Sequence, residues 1–175
     1  MMETVSVMIP EERVNARINE IAEQITKDFA GKSLKLICIL KGSVFFTTEL
    51  AKRIKLPVKL DFISVSSYGN ETVSSGRIKI IKDLDDSICG EDVIVIEDII
   101  DSGRTLSFLL EMLKNRKPAS ISLCTLLDKP SRRVVEVPVR YSGFEVPDEF
   151  VVGYGLDYAQ NYRALPYIGV LQFED

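Results

Sequence analysis

The stretch VIVIEDIIDSGRTL, residues 93 to 106, runs four β-branched residues into the acids Glu97 and Asp98 and then places a third acid, Asp101, directly before Ser102-Gly103-Arg104-Thr105. An apolar run of this kind reads as a buried strand that empties into a turn. The turn is short and contains Gly103, so its backbone N–H groups can converge on one oxyanion while the helix that follows presents its positive N-terminus. Ser102 and Thr105 add hydroxyl donors. A phosphate cradle therefore stands beside a carboxylate patch, and the two suit opposite ends of one molecule. A sugar phosphate fits, with its phosphate in the turn and its ribose hydroxyls hydrogen-bonded by the acids.

Other elements must hold that turn in place. PEERVNARINEIAEQITKDFA opens with Pro10 and two glutamates and repeats Val14, Ile18, Ile21, Ala22, Ile25 and Phe29 on one helical face. LKLICIL (34 to 40) is a nearly continuous apolar run that ends at Lys41-Gly42, and a helical pattern follows from Ser43 to Ile54. VKLDFISV (58 to 65) and RIKII (77 to 81) read as strands around the polar loop SSYGNETVSSG (66 to 76). After the 93–106 unit, Leu106, Leu109, Leu110 and Leu113 mark a helix, and SISLCTLL (120 to 127), FVVGY (150 to 154) and YIGVLQF (167 to 173) are further strand candidates. Apolar strands alternating with helices predict an α/β fold with a mostly parallel, twisted sheet flanked by helices. Such sheets bind ligands at the carboxyl ends of their strands, where these acids lie.

Composition narrows the chemistry. With 175 residues, 46% of them hydrophobic, the chain suits one domain, 1 to 175. A net charge of −4 without a long basic run argues against nucleic acid as a partner. The absence of histidine removes a Ser/His/Asp triad, a histidine-ligated zinc and an imidazole proton shuttle. Cys38, Cys89 and Cys124 lack metal-like spacing, and Cys38 and Cys124 sit in apolar runs as small hydrophobes, which suits a reducing compartment. No signal-like segment and no 18-residue apolar stretch occurs, so a cytoplasmic location with no membrane partner is expected. GKS at 31 to 33 matches the end of a Walker A loop, but Thr26 stands at its upstream glycine position and the segment precedes a strand, so that reading fails.

VIVIEDIIDSGRT closely resembles the phosphoribosyl pyrophosphate (PRPP) motif of the type I phosphoribosyltransferases. LKGSVFF, DFISVSSYG, LLDKPSRR and DEFVVGYGLDYAQNYR follow in the order expected of the hypoxanthine or hypoxanthine-guanine phosphoribosyltransferases, from about Ile37 to Arg163. The resemblance implies that family's fold, with a small hood built from the N-terminal segment and about 150–175 on the purine side, and a mobile lid at about 66–76. It implies a pyrophosphate loop at Lys41-Gly42 with a cis Leu40–Lys41 peptide, a lid that starts at Ser67-Tyr68, and Glu97 and Asp98 on the ribose hydroxyls. Asp101, Ser102, Gly103, Arg104 and Thr105 then form the 5′-phosphate loop, with Asp101 also the candidate base. Arg104 stands where the mammalian enzymes have lysine, which leaves a backbone-built loop intact. Lys129 would read the purine 6-oxo group, Phe150 stack on the base and Val151 contact its edge through the backbone. Asp157 would bind Mg²⁺, with Glu97 and Asp98 as further metal candidates, and Arg163 would bind pyrophosphate.

The implied activity is purine salvage: transfer of the phosphoribosyl group from PRPP to hypoxanthine, and guanine, giving IMP or GMP and pyrophosphate. The family's habit implies a homodimer or homotetramer. Two alternatives stand beside it, a xanthine-guanine enzyme and a PRPP- or nucleotide-sensing regulator on the same fold. Alone, an acidic pair after a strand is more often a solvated edge, Lys129 a surface charge, Phe150 ordinary strand core and Asp157 a turn residue. The attached Asp-Ser-Gly-Arg-Thr turn shifts the balance for the acids, and the motif does so for the others.

Overall fold

In the computed structural model, residues 2–67 and 77–175 are described. The loop expected over 66–76 therefore lies, from Tyr68 to Gly76, outside the described residues, as does the expected role of Tyr68. The chain runs β1 (Met2–Ile9), α1 (Glu11–Asp28), β2 (Leu34–Ile39), α2 (Val44–Arg53), β3 (Val58–Ser67), β4 (Ile78–Lys82), β5 (Asp92–Ile100), α3 (Arg104–Lys114), β6 (Ser120–Asp128), β7 (Val139–Glu145), β8 (Val151–Val152) and β9 (Ile168–Glu174).

Six strands form a sheet in the order β4-β3-β2-β5-β6-β7, parallel throughout except for the antiparallel β4 at one edge. β2 and β5 are apolar on both sides because helices cover both sides. Leu34 and Leu36 of β2 and Ile94 and Ile96 of β5 face a core shared with α1 and α2. Ile37 and Ile39, and Val93 and Val95, face a second core with Leu106, Leu109, Leu110 and Leu113 of α3. Each such side chain, wholly removed from water, contributes about 1.5 to 3 kcal/mol. From β2 the chain crosses through α2 to β3 on one side, and from β5 it crosses through α3 to β6 on the other. The strand order thus reverses between β2 and β5.

β1, β9 and β8 make a separate antiparallel sheet of three strands. Two of its members differ from expectation. FVVGY shrinks to the two residues of β8, because Gly153 turns the chain with φ +93°. β1 is a full strand although METVSVMI is half-exposed and weakly patterned; its pairing with β9 from Met2 to Ile9 supplies the order. β7 is also additional. Its outer edge is covered by α1, whose Arg17 donates to the carbonyls of Ser142 and Gly143 at 2.7 and 3.0 Å.

Asp61 anchors the turn after β4. Its carboxylate is 3% exposed and accepts N–H groups of Phe62 at 2.8 Å, Asp85 at 3.1 Å and Asp86 at 3.3 Å. Burial opposes ionisation here, but these donors and the nearby Lys35 outweigh it, so the carboxyl lies below its ordinary range. A depressed folded pKa contributes stability above the unfolded value of about 3.9 that is lost as pH falls through the folded value. Asp61→Asn should therefore destabilise the protein at pH 7 by about 1 to 3 kcal/mol. Urea titrations should show that gap closing below pH 4, roughly the ordinary Asp pKa.

Candidate active site

β5 outruns β2. Their pairing ends at Cys38 and Ile96, whereas β5 continues beside β6 to Ile100 opposite Asp128. Glu97 and Asp98 therefore lie inside the strand, on the stretch that β2 has left, and only Asp101 lies beyond its end. This refines the expectation that the strand ended before the acids. The gap is filled by the turn after β2, which contains the cis Leu40–Lys41 peptide. Gly42 is required there: a Cβ on it would fall 1.9 Å from Asp98 Oδ2. Gly155 closes on the same turn, with φ +101° and a would-be Cβ 1.9 Å from the Gly42 carbonyl oxygen. Asp98, Gly42 and Gly155 thus form a three-layer stack that only small residues permit.

The acids differ in environment. Burial pushes the Glu97 carboxyl well above the usual carboxylate range, and the adjacent Asp98 charge pushes the same way. Asp98 N–H donates to Glu97 Oε1 at 3.0 Å, and Ile99 N–H to Asp98 Oδ1 at 2.7 Å. Below them, the Cys38 thiol lies 3.3 Å from Ser43 Oγ, and burial raises its pKa as it does that of Cys124. These thiols act as buried small groups.

Gly103, with φ +81°, begins α3, and Ser102 Oγ accepts the Arg104 N–H at 3.3 Å. The first N–H groups of α3 have no partners within the helix, and a helix start of this kind can receive an anion. Its outer wall is a segment that sequence reading left without a role. Val134 and Val135 both donate their N–H to the Ser102 carbonyl at 2.9 Å. Arg133 donates to the Asp101 carbonyl at 3.1 Å and pairs with the carboxylate of Asp128. Within DKPSRR nothing singles out Arg133 until the fold brings β6 beside β5. Ser67, at the end of β3, reaches this turn through Thr105, with hydroxyl oxygens 3.3 Å apart. A cavity of about 230 Å³ lies among Glu97, Asp101, Ser102, Gly103 and Thr105. A larger one, about 350 Å³ between α1 and α2, is lined by Glu11, Glu49 and Arg53, the last two paired with each other, and shares no residue with this turn.

Lys129 is 9% exposed, and its Nζ stands 3.9 Å from Asp101 Oδ1. Phe150 is 48% exposed, so it is no core residue; Tyr158 meets its ring edge-on, centroids 5.6 Å apart, and Phe173 backs Tyr158 at 5.2 Å. Val151 is buried in β8 opposite Val170. Asp157 holds the Gln160 N–H at 2.8 Å and Arg163 at 3.3 Å, while Arg163 also donates to the Gly155 carbonyl at 2.7 Å. Lys41 and Arg163 both donate to the Gln160 side-chain oxygen, at 3.4 and 3.2 Å. The fold thus brings Lys41, Asp157 and Arg163 into one network and Asp101 and Lys129 into another, with Glu97 and Asp98 between. Among the described residues no cluster of three or more carboxylates or thiols is arranged to hold a metal by itself, and no helix is long and apolar enough to cross a membrane.

Residues 10–159 match the model of the phosphoribosyl transferase domain. The hypoxanthine phosphoribosyltransferase of Salmonella typhimurium is 52% identical over 171 residues, which cover 97% of this chain and 96% of that protein. The bifunctional protein TilS/HprT of Listeria monocytogenes is 54% identical over 96% of this chain, which spans only 26% of that protein's length. Among solved structures, a hypoxanthine phosphoribosyltransferase of Staphylococcus aureus superposes with a TM-score of 0.93 at 48% identity, covering 95% of this chain and 91% of that one.

The glycine stack is directly testable. Gly31 and Gly155 both have left-handed backbones, but a Cβ on Gly31 would meet nothing within 4 Å. Gly31→Ala should carry only the backbone penalty, about 1 kcal/mol. Gly155→Ala should lose about 1 to 3 kcal/mol more as the Lys41-Gly42 turn is displaced. Parallel urea denaturations measure the difference.

Proposed function

The chain belongs to the phosphoribosyl transferase family, beside the hypoxanthine phosphoribosyltransferases, and from that premise we propose that it transfers the phosphoribosyl group of PRPP to hypoxanthine and guanine, releasing pyrophosphate. The observation that carries this reading is Lys129: an almost fully buried ammonium standing 3.9 Å from the exposed Asp101 carboxylate, at the rim of an anion-receiving turn. A buried cation beside an open site suits a neutral ligand that offers a carbonyl oxygen, as 6-oxopurines do.

In this reading the 5′-phosphate sits on the backbone donors of Ser102 to Thr105, with hydroxyls from Ser102 and Thr105. Asp98 and Glu97 take the ribose hydroxyls. The base lies between Phe150, held upright by Tyr158, and Lys129, which donates to the 6-oxo group while the backbone of Val151 meets the base edge. Breaking the bond to pyrophosphate builds positive charge at the anomeric carbon and negative charge on the leaving group. Lys41 and Arg163 receive the latter. The ring nitrogen that attacks loses its proton to Asp101, late in the reaction, when the forming glycosidic bond has made that proton acidic. Closure by the segment around Tyr68 would keep water from the cation.

Mg²⁺ belongs to the same reading. It binds through one or two carboxylates and completes its shell with water and substrate phosphates, so it does not need a protein-only cage. The hard oxygens of Asp157, Glu97 and Asp98 suit it, and both Asp157 oxygens are already held in place by Gln160 and Arg163. When bound, the ion would neutralise charge on the departing pyrophosphate. The hood on the purine side, a homodimer or homotetramer and a cytoplasmic location complete the proposal.

The test is a PRPP- and Mg²⁺-dependent assay with hypoxanthine, guanine, xanthine and adenine in parallel. Turnover is expected with hypoxanthine and guanine and not with adenine, whose exocyclic donor faces Lys129. Asp101→Asn should lower kcat by about 10² to 10⁴. Lys129→Met should raise the purine KM while leaving that for PRPP within about twofold, since the 5′-phosphate is held by backbone donors and hydroxyls and not by this ammonium. Absence of turnover with every purine would overturn the assignment.

A further inference from the structure

We propose that Gln160 is a positioning residue for the leaving group: its side-chain oxygen gathers Lys41 and Arg163 before the pyrophosphate end of the substrate arrives, and a phosphoryl oxygen then displaces it. The inference rests on the reading of Lys41 and Arg163 given above.

The geometry that leads here is local and unusual. Tyr158 and Asn161 exchange backbone hydrogen bonds at 3.1 and 2.8 Å, which closes a two-residue turn over Ala159 and Gln160. Both residues have left-handed φ, +48° and +69°, the signature of a turn that normally takes Asn-Gly. Neither residue here has that excuse, and each bears the steric cost that a Cβ brings to the conformation. The Asp157 carboxylate holds the Gln160 N–H at 2.8 Å, so the backbone is pinned from below. What the strained turn achieves is to aim one neutral oxygen at two cations, 3.4 Å from Lys41 Nζ and 3.2 Å from an Arg163 nitrogen. The cations come from elements far apart in sequence, the turn after β2 and the segment before β9.

Charge explains the choice of residue. Two cations brought together with no acceptor between them would repel and spread into solvent. Arg163 already has the Asp157 carboxylate at 3.3 Å on one side, and a second carboxylate at position 160 would pair with both cations and compete with the incoming polyanion. A neutral amide oxygen holds both weakly, and each can exchange it for a charged phosphoryl oxygen, the stronger acceptor. Pre-arranged donors also spare the ordering of two long side chains on binding.

The experiment uses the full chain and inorganic pyrophosphate, titrated by calorimetry, with KM for PRPP and for hypoxanthine measured alongside. Gln160→Gly relaxes the backbone, so its thermal stability should equal or exceed that of the wild type. Its pyrophosphate Kd and PRPP KM should nevertheless rise about fivefold or more, with the hypoxanthine KM unchanged. Gln160→Glu, nearly isosteric, should weaken pyrophosphate further, by about tenfold or more at low salt, and added salt should narrow the gap. Wild-type pyrophosphate affinity in either variant would overturn the inference, as would equal rises in both KM values, which mark general damage. A wild-type protein that turns over while the variants match it removes the role of Gln160 alone. One that neither turns over nor binds pyrophosphate removes the functional reading, and this inference with it.

Discussion

The site depends on one constraint, the handedness of chain crossovers on a parallel sheet. Because β-helix-β connections are right-handed, a chain that leaves β2 through α2 toward β3, and later leaves β5 through α3 toward β6, must put those helices on opposite faces. β2 and β5 are then neighbours whose following turns diverge. A cleft at their carboxyl ends is the geometric residue of that divergence. Everything chemically distinctive here stands on its rim: the Lys41-Gly42 turn on one side, the Asp101 to Thr105 turn on the other, and Glu97 and Asp98 on the unpaired end of β5 between them.

Such a cleft has to bring like charges close, and the structure manages this with closely approaching backbone at its centre and with counter-ions at its two ends. Asp98 lies against Gly42, and Gly155 lies against the other side of Gly42. Glu97 and Asp98 accept backbone N–H groups, whereas Asp157 pairs with Arg163 at 3.3 Å and Asp101 faces Lys129 at 3.9 Å. Lys41 and Arg163 are held on the neutral oxygen of Gln160, and Lys129 stands at the far end near Asp101. The polyanionic substrate proposed above, with its cationic transition state, would use cations at the two ends and acids between them. The supporting shell is carried by ordinary ion pairs and carbonyl contacts, as where Arg133 ties Asp128 to the Asp101 carbonyl.

Much of this was legible from residue order. The continuous apolar runs of β2 and β5, the leucine face of α3 and the face of α1 marked by Val14, Ile18, Ile21 and Ile25 lie where periodicity put them. The strands that escaped, β1 and β7, and the shortened β8, owe their form to partners. METVSVMI becomes a strand because β9 is available to pair with it, and VRYSGFE because β6 presents an edge to it, leaving an outer edge of its own that Arg17 then covers. Neither segment contains enough apolar alternation to announce itself.

The sequence by itself determined the chemistry on offer: no imidazole, and three acids and a glycine turn at the end of one apolar run, leading into a helix start. Those features act over a few residues, so they can be read in a few residues. Tertiary structure decided which cation meets which anion. Lys129 beside Asp101, Gly155 against Gly42 and Gln160 across Lys41 join positions 28 to 119 residues apart, and the link from Gln160 to Arg163 crosses a turn whose left-handed backbone no local preference requests. Contacts of that kind are set by sheet order and packing, which no short window of sequence encodes.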